Sequence, residues 1–424
     1  MDSRRSIPRT DDLLADPDLA PAVARAGRDR VKTAIQQAQQ RARTGELAPD
    51  AVKRAALAAL TPLRRVINAT GVLLHTNLGR APLSPLAVRA IADAAGVTDI
   101  ELDLETGRRG RRGRSALAAL AAAVPAAEAV HVVNNNAAAL VLAATALAGG
   151  KEILVSRGEL VEIGDGFRLP DLLVSTGARL REVGTTNRTT LRDYAEAVGP
   201  ETGFVLKVHP SNYRIEGFTA TPEVAELSTL GVPLVADAGS GLLRPDPLLP
   251  AEPDAATWLN AGAHLVTASG DKLLGGPQCG LLLGRADLVE RLRRHPLARA
   301  LRVDKLTLAA LEATLAAPAT PVAAALHADP EALYVRAQAL AERLADAGVD
   351  AAAVRTEARV GGGGAPGVTL PSAALAVAPV LAARLRSGDP AVLGRVERGH
   401  LLLDLRAVPE ELDKELLSAV TACG

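Results

Sequence analysis

The chain has 424 residues, which is too long for one compact core, so two or three domains are expected. Its 48 Lys and Arg balance 48 Asp and Glu, so the whole chain gives no electrostatic argument for nucleic-acid binding. Two cysteines exclude a cysteine zinc site or a disulfide framework, and no window reaches eighteen uninterrupted apolar residues. We therefore expect a cytoplasmic protein with no metal and no membrane segment.

The first 65 residues predict a separate helical domain. Helical patterns cover Ala20–Thr44 and Ala48–Leu60. The segment carries 13 Lys and Arg against 8 Asp and Glu, although the whole chain is neutral. A basic helical module of this kind could bind RNA, but a solvated face on an ordinary helical appendage explains the charge equally well.

From Val66 to about Leu301 the pattern becomes an alternation of strands and helices. Apolar, β-branched runs predict strands at Ala129–Val133, Glu152–Val155, Leu180–Val183, Gly203–Val208, Val232–Ala236, His264–Thr267 and Gly280–Leu283. Helical stretches such as Ala137–Ala148 and Pro222–Leu230 lie between them. Such alternation is typical of an α/β domain with a mainly parallel sheet flanked by helices.

Polar side chains follow several of the predicted strands, at the points where the strands end. They lie at Asn134–Asn136, Glu182–Asn187, His209–Tyr213 and Asp237–Gly241. Ligands of such sheets bind at the carboxyl ends of the strands, so these groups predict one shared pocket.

After Pro296 the chain is helical again, and short strands follow. Helices are predicted at Asp304–Leu315 and Pro330–Ala347, and strands at Gly367–Leu370 and His400–Leu405. The run Gly361–Gly364 predicts a bend or a bulge, since no helix follows it as a dinucleotide site requires. The three predicted domains are therefore residues 1–65, 66–305 and 306–424, the last a small α+β domain.

The segment Thr267–Gly280 carries the strongest chemical signal. It places Lys272 in a glycine-rich turn after an apolar run, one strand after Asp237 at the end of another. A pyridoxal phosphate (PLP) site requires such a lysine to form a Schiff base and such a carboxylate to keep the pyridine nitrogen protonated. Alternatively, Lys272 is a surface lysine in a turn and Asp237 a helix cap.

Asn134, Asn135 and Asn136 open a helix directly after a strand. Backbone N–H groups at a helix start suit a phosphate, and the side-chain amides add donors. A plain Asn cap is the alternative, although it explains one asparagine better than three.

Arginines supply candidate anion ligands elsewhere. Arg80 lies in a Gly-Arg turn, and Arg299 and Arg302 lie three residues apart on one helical face. The loop Gly107–Arg114 holds five arginines, which could attract phosphate or be solvated. His75, in a segment dense in polar groups, is either a core histidine or a catalytic one.

Four motifs give the chain a family resemblance. They are Ile67–Ala81 (INATGVLLHTNLGRA), Glu182–Arg188 (EVGTTNR), Lys207–Phe218 (KVHPSNYRIEGF) and Ser269–Gln278 (SGDKLLGGPQ). With these motifs the chain resembles the bacterial L-seryl-tRNA(Sec) selenium transferases, also called selenocysteine synthases, over essentially its whole length. Departures from the family's pattern are minor: Ala268 and Cys279 vary around the lysine, and the arginine loop at residues 108–114 is more basic than expected.

The resemblance implies a PLP-dependent transferase of fold type I, with an N-terminal domain that binds selenocysteine tRNA. It also implies a homo-oligomer, a decamer built as a pentamer of dimers. Lys272 matches the family's Schiff-base lysine and Asp271 its neighbouring essential aspartate. Arg80, Arg299 and Arg302 match the arginines that hold selenophosphate. For Asp237 and Asn134–Asn136 as cofactor ligands, the implication comes from the fold alone.

The implied reaction converts seryl-tRNA(Sec) to selenocysteyl-tRNA(Sec) by β-elimination of water to an aminoacrylyl-tRNA, followed by selenium addition from selenophosphate. One alternative is a PLP-dependent lyase that acts on a small amino acid or amino-sugar acid; such relatives tend to lack the N-terminal segment. Another is a tRNA-binding protein without activity, which would not need Lys272, Asp271 and the arginines together. The roles of His75, His209 and the arginine loop at residues 108–114 stay open.

Overall fold

The computed structural model describes residues 6–60, 63–164 and 166–424. The strands are β1 Val66–Ala69, β2 Val72–Leu74, β3 Ala129–Val133, β4 Glu152–Ser156, β5 Glu162–Ile163, β6 Phe167–Arg168, β7 Arg179–Val183, β8 Thr202–Val208, β9 Leu234–Ala238, β10 Leu265–Ser269, β11 Gly280–Gly284, β12 Ala351–Gly361, β13 Thr369–Val377, β14 Ala391–Glu397 and β15 His400–Asp404. The helices are α1 Thr10–Leu14, α2 Ala20–Ala26, α3 Arg28–Arg43, α4 Val52–Leu60, α5 Pro85–Ala94, α6 Arg114–Ala123, α7 Asn136–Ala148, α8 Leu169–Val174, α9 Leu191–Ala195, α10 Val224–Leu227, α11 Ala255–Asn260, α12 Ala286–Arg294, α13 Leu297–Ala300, α14 Lys305–Ala316, α15 Pro321–Leu326, α16 Pro330–Asp346, α17 Leu381–Ser387 and α18 Asp413–Thr421.

A seven-stranded sheet forms the centre of the molecule's larger compact unit. Its strand order is β3-β11-β10-β9-β8-β4-β7. The neighbours from β10 to β7 are all parallel, and β11 runs antiparallel to both β10 and β3. The mainly parallel sheet predicted from the sequence is therefore confirmed, and all seven of its strands coincide with predicted strands to within two residues.

Both faces of this sheet are buried, which explains its continuous apolar strands. In β8, for example, Phe204 and Leu206 face one hydrophobic cluster, whereas Val205 faces the other. Helix α7 lies in the first of these clusters, and nine of its thirteen residues are buried. The start of α7 is thus held against the end of β11, so close that a side chain at Gly280 would meet the Asn135 carbonyl oxygen at 2.1 Å.

A second sheet, of six strands, has the order β1-β14-β15-β13-β12-β2. Helices α16 and α18 cover one face of it, where Leu340 and Leu416 pack in one cluster with Leu375 of β13. The glycine run Gly361–Gly364 begins at the last residue of β12 and continues into the turn of the hairpin that β12 and β13 make.

Two sequence expectations for this region need correction. The strand expected at Gly367–Leu370 begins at Thr369 and extends to Val377, and β12 was not expected at all. Strand β12 begins with three alanines, and its exposed residues Arg355, Glu357 and Arg359 then alternate with less exposed ones, so it lacks the apolar run of a buried strand.

The residues before Ile67, together with Asp389–Ala391, form a second compact unit. Its helices α1 to α4 pack around buried side chains that include Leu19, Ile35 and Val52. The helix expected at Ala20–Thr44 is two helices, because Gly27 has a φ of +83°. Residues 1–5 and 61–62 of the predicted N-terminal domain lie outside the described residues.

Across the described ranges, no helix combines the length and the apolar character that crossing a bilayer requires.

Candidate active site

Lys272 lies in a tight turn directly after β10. Gly270 donates its N–H to the Cys279 carbonyl at 2.9 Å, and a side chain there would collide with Cys279 Sγ at 2.4 Å. The N–H of Gly275 in turn donates to the Lys272 carbonyl at 2.8 Å. The glycines let the backbone fold back on itself, and this leaves the Lys272 side chain only 7% exposed.

The Lys272 amine is buried among charged groups. Burial lowers the pKa of Lys272, because an ammonium loses hydration in the interior. The carboxylates of Asp237 and Asp271 oppose this lowering of the pKa, and Arg80 adds to it. Since the net pKa shift is downward, a larger fraction of Lys272 is a neutral, nucleophilic amine than of an exposed lysine at the same pH.

Asp237 lies inside β9, rather than just after the strand as the sequence predicted. In the parallel register Asp237 lies opposite Thr267 of β10, whose hydroxyl donates to Asp237 Oδ1 at 3.0 Å. Asn136 Nδ2 donates to the same oxygen at 2.8 Å. Burial raises the pKa of Asp237, while these two hydrogen bonds and Lys272 act against that rise. The carboxylate is therefore held in one orientation near the lysine.

The three consecutive asparagines have different environments. Asn135 caps α7, because its Oδ1 accepts from the Ala138 N–H at 2.8 Å, and Asn136 binds Asp237. Asn134 is exposed, and its amide nitrogen faces the carbonyls of Leu301 and Arg302 at 3.2 and 3.0 Å. The side chain of Asn134 is thus directed at the backbone of the α13–α14 connection, not at the lysine.

Arg80 and Asp271 form an ion pair beside Lys272. Arg80 Nη1 donates to Asp271 Oδ2 at 2.9 Å, and the Ala81 N–H donates to the Asp271 carbonyl at 3.2 Å. Arg80 has a φ of +65°, a conformation that few non-glycine residues adopt. Three of the predicted site residues, Lys272, Asp271 and Arg80, are therefore neighbours, although Arg80 is 191 residues from Asp271 in the sequence.

Arg299 and Arg302 line a different cleft, of about 760 Å³. The described residues that line this cleft include His131 and the arginine loop, but not Lys272, Asp271 or Arg80. Within one chain, then, the structure does not bring the three predicted anion-binding arginines together.

Glu101 organises the arginine loop on this cleft. Its carboxylate accepts from Arg109 at 3.1 Å, from Arg112 at 3.3 Å and from Arg302 at 3.4 Å. Burial raises the pKa of Glu101, but the hydrogen bonds from Arg112 and Arg109 outweigh this effect and the pKa is lowered overall. The loop is therefore tied to a carboxylate that the sequence did not single out.

The residues around Lys272 fit PLP. Besides the lysine and the strand-end carboxylate, this region holds three buried polar atoms, His75 Nδ1, Asn136 Oδ1 and Ser240 Oγ, that have no hydrogen-bond partner among the described residues. A buried polar atom without a partner is costly, so such atoms mark a place where a polar ligand belongs. An aldehyde, a pyridine nitrogen and a phosphate are the groups that an amine, a carboxylate and polar donors would bind.

Two further residues of this pocket were not assigned a role from the sequence. Thr267 could have been found from its register with Asp237, given that β9 and β10 are neighbours. Gly363, whose carbonyl oxygen lies 3.4 Å from Lys272 Nζ, comes from the β12–β13 turn 91 residues away, and no local signal points to that contact.

Comparison with known proteins identifies the family. The family profile described as L-seryl-tRNA selenium transferase matches residues 66–409, and the selenocysteine synthase N-terminal profile matches residues 4–43. The chain belongs to the L-seryl-tRNA selenium transferase family. This agrees with the motifs identified in the sequence, including the one around Lys272.

Similar curated proteins bear the same name over most of their length. The L-seryl-tRNA(Sec) selenium transferase of Carboxydothermus hydrogenoformans is 42% identical, with 96% of this chain and 95% of the relative covered. That of Moorella thermoacetica is 47% identical, with 89% and 86% covered, and that of Geobacter sulfurreducens is 43% identical, with 98% of each covered.

Among solved structures, a D-glucosaminate-6-phosphate ammonia-lyase has a similar fold. Its TM-score is 0.60 at 19% identity, with 87% of this chain and 97% of that chain covered. At this identity the likeness concerns the fold, and it confirms the fold type I expectation.

The burial of Lys272 predicts a pH-dependent gain in stability for a Lys272→Met variant. A lysine whose pKa is lowered by folding destabilises the folded chain while it is protonated, and most of this cost is gone once the pH has risen to the ordinary lysine pKa. In cofactor-free protein, Lys272→Met should therefore raise the melting temperature at pH 7 by more than it does at pH 10.5.

The control is Lys414→Met, because Lys414 is exposed on α18. Its effect on the melting temperature should not depend on pH in this way. An equal effect of Lys272→Met at both pH values would contradict the burial of a protonatable amine.

Proposed function

We propose that this protein converts seryl-tRNA(Sec) into selenocysteyl-tRNA(Sec), with PLP as cofactor and selenophosphate as selenium donor. One observation carries the proposal: similarity to transferases of this name extends through both the N-terminal and the catalytic segments, at 42–47% identity. The buried Lys272, with Asp237 and Asp271 beside it, supplies the chemistry that such a transferase needs.

When bound, PLP withdraws electrons from the α-carbon of the seryl group. Lys272 would hold the cofactor and, as a free amine, would remove the α-proton of serine. The lowered pKa of Lys272 suits this role, since a base must be unprotonated before it accepts a proton. Asp237 would keep a proton on the pyridine nitrogen, and the hydrogen bonds from Asn136 and Thr267 orient its carboxylate.

Asp271 and Arg80 act at the other end of the seryl group. Loss of water requires a proton on the departing β-hydroxyl oxygen, and Asp271 assists that proton transfer. Arg80, ion-paired to Asp271 at 2.9 Å, offers its remaining N–H groups to the incoming anion. The selenium of selenophosphate then bonds to the β-carbon, the α-carbon regains a proton, and water cleaves the Se–P bond so that phosphate is released.

Arg299 and Arg302 position the phosphate of selenophosphate. Both are exposed, and the Arg299 guanidinium has no hydrogen bond or ion pair with the described residues, so it is available to a ligand. Because their cleft does not include Lys272, we propose that the enzyme works as a homo-oligomer, with a decamer made of five dimers as the expected form.

The N-terminal unit binds the tRNA. Helix α3 carries five exposed Lys and Arg side chains, at Arg28, Arg30, Lys32, Arg41 and Arg43. Exposed cations along one helix suit the phosphates of a polynucleotide better than a small amino acid. Such a substrate places the reaction in the cytoplasm, where aminoacylated tRNA is used.

A PLP-dependent lyase acting on a small amino acid or amino-sugar acid remains the alternative. The ammonia-lyase named above shares the fold at 19% identity, which does not favour its activity here.

The direct test is conversion of labelled seryl-tRNA(Sec) by the purified enzyme with PLP and selenophosphate. Wild type should form selenocysteyl-tRNA(Sec), and Lys272→Ala should lose this activity by a factor of about a thousand or more, because no other amine can replace its covalent and basic roles. Lys414→Ala is the matched control. Turnover by Lys272→Ala, or release of pyruvate from free serine by the wild type, would contradict the proposal.

The arginine cleft gives a second prediction. Arg299→Ala and Arg302→Ala should each raise the KM for selenophosphate roughly tenfold, since a charge-assisted hydrogen bond is lost. The affinity for seryl-tRNA(Sec) should stay unchanged. Arg291→Ala, an exposed arginine of α12 outside the cleft, is the control, and an equal KM effect in that variant would refute a specific site.

A further inference from the structure

Glu252 is a buried carboxylate to which neither the sequence nor the proposed mechanism gives a role. It lies in the connection between β9 and α11, two residues before Asp254, which caps α11. Its side chain is 1% exposed. Glutamates are rarely buried to this extent without a specific partner, so its contacts identify its task.

The contacts of Glu252 join two separate segments of the chain. Its Oε2 accepts from the Ala365 N–H at 2.6 Å and lies 3.3 Å from His209 Nε2. Its Oε1 is buried and has no hydrogen-bond partner among the described residues. Ala365 belongs to the β12–β13 turn, and His209 follows β8, so one carboxylate connects the two sheets.

The β12–β13 turn packs directly on the Lys272 amine. A side chain at Gly363 would lie 2.6 Å from Lys272 Nζ, and the Gly363 carbonyl oxygen is 3.4 Å from that nitrogen. Two residues later Ala365 has a φ of +47°, a left-handed conformation that is unfavourable for alanine. The hydrogen bond to Glu252 is what fixes the N–H of this strained residue.

His209, the second partner of Glu252, lies beside Asp237. Its backbone N–H donates to the Asp237 carbonyl at 3.2 Å. Glu252 therefore contacts one segment beside the lysine and another beside the aspartate.

We propose that Glu252 is a positioning residue, which holds the β12–β13 turn against Lys272 and orients His209 beside Asp237. The inference rests on the proposed function, because it assigns Glu252 a task in a pocket built for PLP. Glu252 also contributes negative charge to that pocket. The charged groups that face Lys272 are Asp237, Arg80, Asp271 and Glu252, and Glu252 is among those that raise the pKa of Lys272 against the effect of burial.

Glu252→Gln separates charge from geometry. Glutamine keeps an oxygen that can accept from the Ala365 N–H, but it removes the negative charge. The pKa of Lys272 should therefore fall further below its usual value in this variant. The measurement is the rate of acetylation of Lys272 by acetic anhydride as a function of pH, read by mass spectrometry. It is made on the full-length chain after removal of the cofactor, and the exposed Lys414 is the internal reference.

The profile of Lys272 should move to lower pH in Glu252→Gln and stay unchanged in Glu342→Gln. Glu342 is exposed on α16, so that control makes the same change in net charge away from the pocket. A Glu252→Gln profile equal to that of wild type would overturn the electrostatic part of the proposal.

Glu252→Ala also removes the acceptor for the turn. We expect the affinity for PLP to fall roughly tenfold and kcat roughly 10- to 100-fold, with little change in KM for seryl-tRNA(Sec), because small displacements of a reacting group cost this much. Adding Ala365→Gly should recover part of the lost PLP affinity, since glycine adopts the left-handed conformation without strain. A double variant no better than Glu252→Ala would overturn the positioning of the turn.

The same acetylation profiles distinguish failure of this inference from failure of the proposed function. If Lys272 of wild type is acetylated with the same pH profile as Lys414 and PLP does not bind, the PLP site itself is wrong. If Lys272 of wild type differs from Lys414 but Glu252→Gln changes nothing, only the role of Glu252 is refuted.

Discussion

The burial of Lys272 and Asp237 in one pocket is the constraint on which the site depends. Removing an ammonium or a carboxylate from water is costly unless opposite charges and hydrogen bonds replace the lost hydration. Burial accordingly lowers the pKa of Lys272 and raises that of Asp237, so each group is held nearer to neutrality. The burial that shifts these pKa values destabilises the folded chain, but it also gives Lys272 a reactive, neutral amine. The pocket that costs stability is therefore the functional one.

The large sheet provides the rigid support for this pocket. Parallel pairing of β9 with β10 places Asp237 opposite Thr267. Lys272 lies in the turn after β10, at the carboxyl end of the same two strands. Helix α7, which follows the edge strand β3, adds Asn136. The smaller sheet contributes the Gly363 carbonyl, so the lysine is enclosed by elements that are far apart in the sequence.

The sequence predicted what local patterns and chemistry can specify. The buried strands of the large sheet were found because burial on both faces leaves continuous apolar runs, and Lys272 and Asp237 were found because few functions need that pair. Strand β12 was missed because it begins with three alanines and then has a charged residue at every second position, so it has no continuous apolar run. Contacts such as Arg80 with Asp271, or Glu252 with Ala365, join residues 191 and 113 positions apart, and only the folded chain shows them. The sequence placed Asn134 near the site, but it could not show that the Asn134 side chain is directed at the backbone carbonyls of Leu301 and Arg302.

The central claim is that a cofactor on Lys272 reacts with an aminoacylated tRNA. The most direct test is the visible absorption band of the PLP-loaded enzyme, recorded during titration with seryl-tRNA(Sec) and, separately, with free serine. We predict that the band shifts with seryl-tRNA(Sec) and stays unchanged with free serine, because the tRNA supplies the binding energy. A band that ignores the charged tRNA, or the absence of any band after addition of PLP, would contradict the claim.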